Sequence, residues 1–266
     1  MPIQRSDPVA LRSELLFRLF GYYLKRRLRR MFHAVRLSGS LASLPRDRPV
    51  IIFSNHPSWW DPALYIVLAN MLFRGRPGFG PMDAQALLRY GFFTRLGVFG
   101  IDLNSSAGAR RFLEVTRDVL NRCQGPGGRA MIWITAEGHF TDPRVRPVTL
   151  SAGVAHLARS LPDAILVPLA TEYVFWNESR PELLLRFGPP IAADARLRPA
   201  EWQSILQDAL ACEMDALALD AISRDKTRFR PVLRGKAGAS LFYDLYRRAR
   251  ALMTGTVFSP AHEEEA

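Results

Sequence analysis

The period of apolar positions along the chain changes near residue 40. Before it, Leu15, Leu16, Phe17, Leu19, Phe20, Tyr22, Tyr23, Leu24, Leu28, Met31 and Phe32 are interleaved with Arg18, Lys25, Arg26, Arg27, Arg29 and Arg30. This pattern predicts an apolar helix ending in a basic cluster. After Gly39, strand-like and helix-like runs alternate. Residues 49–54, PVIIFS, form a short β-branched run bounded by turn residues, which predicts a buried strand. From Asp61, DPALYIVLANMLF sets an acid and a proline before a periodic apolar stretch, predicting a helix with Asp61 as N-cap and Pro62 at its first position.

The alternation continues downstream. Residues 84–96 and 107–123 read as helices, the second carrying Arg110, Arg111, Glu114, Arg117 and Asp118 on its polar side. Residues 129–135 (RAMIWIT) and 164–171 (AILVPLAT) read as strands flanking a helix over 151–160. A strand over 183–187 and a helix over 199–222 follow, so the pattern argues for an α/β layered domain. Residues 241–253 are again amphipathic and basic, and an acidic tail, expected to be disordered, closes the chain. With no repeat or linker in between, the expected division is a basic helical segment over 1–44, one domain over 45–255 and the tail over 256–266.

Composition narrows the class. The chain has 266 residues, 48% hydrophobic and 23% charged, which is globular and far from disordered or collagen-like. Thirty-six Lys and Arg against 25 Asp and Glu give a net charge of +11, nearly all from arginine, since lysine occurs only at Lys25, Lys226 and Lys236. So basic a chain calls for an anionic partner: nucleic acid, membrane surface or acidic substrate. Cys123 and Cys212 stand far apart with no histidines at ligand spacing, so neither a disulfide framework nor a metal site is expected. No run reaches the roughly 18 apolar residues that span a bilayer, and no signal-peptide pattern opens the chain. For the N-terminal helix two readings stand: packing on the domain, or lying in the interface of an anionic membrane with aromatics in the acyl region and arginines on phosphates.

The chemistry-bearing stretch is SNHPSWWDP over 54–62. It sets His56 just after a buried strand and Asp61 five residues on, at a helix start. Loops at strand ends collect active-site residues. A histidine acts as general base near neutral pH when a carboxylate holds one ring nitrogen protonated. The same residues also admit a plain reading, with Asp61 as helix cap, His56 bonded to backbone, and Trp59 and Trp60 in the core.

The H-x-x-x-x-D pair is joined by GVFGID at 97–102, TAEGHFTDPR at 135–144 and ILVPLA at 165–170. In order and interval these blocks resemble those of the PlsC-like lysophospholipid acyltransferases, over roughly residues 45–195. The resemblance implies a mixed central sheet wrapped by helices, here with the N-terminal amphipathic segment added. It implies acyl transfer from acyl-CoA or acyl carrier protein to a lipid hydroxyl, with no cofactor and no metal. His56 matches the base and Asp61 the carboxylate that orients it. Glu137 and Gly138 match the block associated with a phosphorylated acceptor, Pro168 matches the block that shapes the donor site, and Arg144 is a candidate to reach the acceptor. No G-x-S-x-G elbow points to a hydrolase instead.

Two positions depart from the family pattern. Leu103 stands where an arginine commonly follows the aspartate of the second block, and His139 and Phe140 stand where Thr and Arg follow Glu-Gly. The expected acceptor is a lysophospholipid such as 1-acylglycerol-3-phosphate. The alternatives are a non-phosphate acceptor, such as a glycolipid, glycosylated terpenoid or other lipid alcohol, or a non-catalytic lipid-binding protein. The expected partners are an anionic membrane surface, an acyl thioester and a lipid hydroxyl, without nucleic acid. The expected location is the cytoplasmic face of a membrane, the bacterial inner membrane.

Overall fold

The structure, a computed structural model, describes residues 7–103 and 105–236. In chain order the elements are α1 (Pro8–Leu11), α2 (Glu14–Met31), β1 (Ala34–Ser38), β2 (Val50–Ser54), α3 (Asp61–Leu72), β3 (Gly78–Asp83), α4 (Ala84–Arg89), β4 (Val98–Ile101), α5 (Ser106–Arg122), β5 (Gln124–Gly125), β6 (Gly128–Arg129), β7 (Met131–Thr135), α6 (Gly153–Ser160), β8 (Ile165–Val174), β9 (Glu182–Phe187), β10 (Ile191–Ala192), α7 (Pro199–Ser223) and β11 (Phe229–Arg234). The expected helix over 241–253 and the tail over 256–266 lie outside the described residues.

One mixed sheet runs in the order β11-β1-β9-β8-β2-β7-β3-β4, with β10 on β8. β8, β2, β7, β3 and β4 are mutually parallel, so their carboxyl ends share one edge. β9 is antiparallel to β8, and β1, parallel to β9, carries β11 antiparallel on its other side. Central parallel strands are covered on both faces and therefore read as continuous apolar runs. Alternation then divides each run between two cores. Ile51, Phe53, Ile132 and Ile134 face α5, α6 and α7, packing with Phe112, Val154, Trp202 and Leu210. Val50, Ile52, Met131 and Trp133 face α2 and α3, packing with Phe17, Leu28, Leu64 and Leu68.

The expected strand over 49–54 is β2, the run at 129–135 is β7, and the helix over 199–222 is α7 (Pro199–Ser223). Three expectations change. The helix predicted over 84–96 is broken: α4 ends at Arg89, Tyr90 leaves helical geometry, and a 3-10 turn over Gly91–Leu96 follows, stopped by Gly97 at φ +88°. This turn brings Phe92 and Phe93 against Phe20 of α2, at ring-centroid distances of 5.3 and 6.1 Å. Within 1–44, read as helical, residues 34–38 are instead β1, a strand of the same sheet. Its backbone is strapped in place by His33 N–H donating to Pro181 O (2.9 Å) and Gly235 N–H donating to His33 O (2.8 Å). Lastly, Asp61 is not the N-cap of α3. Trp60 holds that position without a side-chain bond, and Asp61 and Pro62 are the first two helical residues.

α2 buries Phe17, Gly21, Leu24 and Leu28 and leaves Leu15, Leu19, Tyr22 and Tyr23 in solvent. Among the described residues no helix is long and apolar enough to cross a membrane.

Gly108, in the first turn of α5, lies against the loop leaving β4. A Cβ built there falls 1.8 Å from Asp102 O, a backbone atom that cannot swing away. Glycine to alanine inside a helix ordinarily stabilises by about 0.5–1 kcal/mol. Here the sign reverses: Gly108→Ala is expected to destabilise by about 1–3 kcal/mol through overpacking, read as a lower urea midpoint with an unchanged slope.

Candidate active site

The register of the sheet assembles the site. Ser54, the last residue of β2, is level with Thr135 of β7 and Leu169 of β8. Just past the end of β2, the chain reaches Asn55 and His56, which bond residues on the same two neighbouring sides, Thr171 further along β8 and Glu137 just past β7. The chain between is tied down at Asn55, wholly buried, whose side-chain amide donates to Thr171 O (2.9 Å) and accepts from Thr171 N–H (2.9 Å). This amide continues the ladder beyond the strand, so His56 leaves the sheet from a fixed point. On the other side Glu137 Oε2 accepts from His56 N–H at 2.5 Å. Burial pushes the Glu137 carboxyl above its usual range, with the His56 N–H opposing that rise.

His56 Nδ1 lies 2.7 Å from Asp61 Oδ2. The His56 side chain is 14% exposed and that of Asp61 is fully buried. A carboxylate in this state needs donors, since leaving it without them carries a large desolvation penalty. Three converge on Asp61: His56 Nδ1–H, Ser58 N–H at 3.0 Å onto the same oxygen, and Tyr173 O–H at 2.6 Å onto Oδ1. The carboxylate turns away from the N–H groups of its own helix toward these partners, which is why it does not cap α3. Its place in the first turn still suits the helix dipole. Because a carboxylate only accepts, the proton between it and the ring sits on Nδ1, leaving the Nε2 lone pair to take a proton from elsewhere.

The supporting hydroxyls keep their protons. Burial, and then the Asp61 charge, raise Tyr173 well above the usual phenol range, and the same two causes act on Tyr65. Tyr65 shares a hydrogen bond with Ser54, which also donates to Asn55 O (2.8 Å). None of Tyr173, Tyr65, Ser58 or Asn55 was assigned a role from the sequence. Tyr173 stands 112 residues from Asp61 and belongs to no recognisable motif.

The remaining sequence candidates are distributed unequally. Gly138 turns the chain beside Glu137 at φ +79°, and a Cβ there would fall 2.7 Å from Ser151 Oγ, so the site needs glycine. Phe140 packs its ring on His56, with centroids 4.4 Å apart, and Thr141 N–H donates to His56 O (3.0 Å). Arg144 points into solvent, 87% exposed, and its guanidinium holds Asp142 at 2.9 and 2.7 Å. Pro168 is buried in β8 level with Phe53, three residues below His56, or about 10 Å along the strand. Trp59 is exposed, whereas Trp60 packs edge-on against Phe32, the C-cap of α2 (5.5 Å). Beside the dyad opens a cleft of about 450 Å³, lined among others by Phe32, Pro57, Ser58, Trp60, Tyr173 and Phe175. Among the described residues there is no group of three or more His, Cys, Asp or Glu side chains arranged to hold a metal.

A base with an acceptor nitrogen, oriented by a buried carboxylate whose partners Ser58 and Tyr173 line an apolar cleft, can remove a proton from a bound hydroxyl. The Tyr173 bond to Asp61 is to a charged group, worth about 1.5–3 kcal/mol. Tyr173→Phe is therefore expected to lower turnover about ten- to hundredfold while the fold, followed by circular dichroism, is retained.

Among solved structures the chain is similar to the 1-acyl-sn-glycerophosphate (LPA) acyltransferase PlsC from Thermotoga maritima, at 15% identity and a TM-score of 0.57, over 81% of this chain and 84% of that one. That likeness is one of fold, a mixed sheet flanked by helices. No curated protein matches the sequence. The Acyltransferase family model matches residues 39–172, a span that holds His56, Asp61, Glu137 and all of the parallel core of the sheet but the last two residues of β8. The chain belongs to the Acyltransferase family.

Proposed function

We propose that this acyltransferase moves a fatty acyl chain from a thioester, acyl-CoA or acyl carrier protein, to the hydroxyl of a lipid. The observation that carries the reading is the His56–Asp61 pair held by Ser58 and Tyr173 beside an apolar cleft. His56 Nε2 takes the proton of the acceptor hydroxyl as its oxygen bonds to the thioester carbonyl carbon. The carbon–sulfur bond then breaks, and the proton passes from the imidazolium to the departing thiolate. A thioester is already activated, so a base and alignment carry much of the task, and no covalent enzyme intermediate is needed. The acceptor class includes lysophospholipids such as the 1-acyl-sn-glycerophosphate named for the Thermotoga protein, and lipid alcohols without phosphate.

A lipid substrate and a net charge of +11 both favour work at an anionic membrane, such as the cytoplasmic face of the bacterial inner membrane. The exposed Leu15, Leu19, Tyr22 and Tyr23 of α2 stand beside Arg26, Arg27 and Arg30, and the exposed Tyr90 and Phe92 adjoin that helix through Phe20. Apolar and cationic groups in this arrangement suit the headgroup–acyl boundary.

Two experiments test the reading. Purified protein given radiolabelled oleoyl-CoA or oleoyl-acyl carrier protein and a lipid extract should form acylated lipid, and His56→Ala should lose at least about 10²-fold of that rate; turnover like the wild type's in the variant would remove His56 from the chemistry. In sedimentation with phosphatidylcholine vesicles containing phosphatidylglycerol, binding should weaken as salt rises and fall further in Leu19→Glu/Tyr22→Glu. Binding indifferent to both would locate the membrane contact elsewhere.

A further inference from the structure

We infer that the acceptor is an uncharged lipid alcohol, because the carboxylates around His56 meet an uncharged side chain, Phe140, where a cation would offset them; the inference rests on the acyl-transfer reading above. The argument begins with what lies on the catalytic imidazole. Phe140 is 60% exposed, yet its ring is stacked on His56 at 4.4 Å and a 39° tilt. Its position is built in by the backbone. Gly138 turns the loop through a left-handed conformation, and Thr141 N–H, the next residue's, donates to His56 O. Whatever approaches His56 from this side therefore meets the face or edge of a phenyl ring. Trp59, three residues after His56 on the loop leaving β2, is 74% exposed and adds a second apolar group.

Charge around His56 has one dominant sign. Asp61 and Glu137 both bond His56, one through its ring and the other through its backbone N–H. Asp142 lies two residues beyond Phe140, and Glu172 is within electrostatic reach of Asp142 and Arg144. The cations of this loop are engaged: Arg144 grips Asp142 with two nitrogens, and Arg146 is paired with Asp215. His139, exposed in the loop, acts on Glu137.

A phosphate carried beside the acceptor hydroxyl would thus be brought next to carboxylates and an aromatic ring, and would have to break an existing ion pair to find an arginine. Like charges in a partly desolvated site repel strongly. An alcohol headgroup suffers no such penalty. Its hydroxyls donate, and carboxylates are acceptors only, so the same groups that repel a phosphate can hold a polyol. Arginine at 140 would reverse the selection by presenting a planar donor fork beside the base.

The test uses two acceptors that differ only in the phosphate, 1-monooleoylglycerol and 1-oleoyl-lysophosphatidic acid, in neutral detergent micelles with both donors. A total lipid extract is also separated by anion exchange into uncharged and anionic fractions. Wild type should form product in the uncharged fraction and favour the monoglyceride by about tenfold or more in kcat/KM. Phe140→Arg should move that ratio about tenfold toward the phosphate, and Phe140→Ala, which adds no charge, should not. Product confined to the anionic fraction, or a preference for lysophosphatidic acid, would overturn the inference while leaving the transferase intact. No product from any fraction with either donor would instead defeat the transferase reading on which it rests.

Discussion

A carboxylate placed wholly out of water must be surrounded by donors, and the neighbourhood of Asp61 is arranged around that need. Two of its donors, His56 and Ser58, come from the loop just before it, and the third from a strand 112 residues later. Satisfying it therefore fixes the start of α3, the direction of the His56 ring and the end of β8 at once. The imidazole tautomer follows from the same bonds. Nδ1 is committed to Asp61, so the nitrogen left with a free lone pair is Nε2.

The next layer outward holds the backbone rather than the side chains. Asn55 continues the ladder to Thr171 with a side-chain amide, and Glu137 receives the His56 N–H. Neither group bonds the His56 ring. Together they fix the main chain on both sides of the histidine, so its position is inherited from the sheet register rather than from loop packing. A site mounted in this way is preorganised, which is what an acyltransferase needs to align its two substrates.

Much of this was legible before any coordinates. VIIFS and MIWIT announced central strands because burial on both faces leaves them apolar throughout. His56 and Asp61 lay in one short motif, and Glu137 and Gly138 in another. What escaped was non-local or mixed in composition. β3, GFGPMD, carries two glycines and a proline, and β1, AVRLS, follows a basic helix, so each becomes a strand only through its neighbours. Tyr173 could not be found from its own surroundings, because only the register of β8 against β2 brings it to Asp61. The cap assigned to Asp61 was a sound local inference overridden by tertiary partners that offered the carboxylate more.

The cleft beside the dyad has a mixed ancestry. Pro57, Ser58, Trp60 and Pro143 fall within the span matched by the family model, but Met31, Phe32, Tyr173, Phe175 and Pro181 fall before or after it. His56 and Asp61 lie in the part that the family model describes, whereas five of the nine residues lining the cleft lie in flanking sequence that it does not describe. Relatives can therefore keep one reaction and diverge in what they accept, simply by exchanging the segments that precede and follow a common middle.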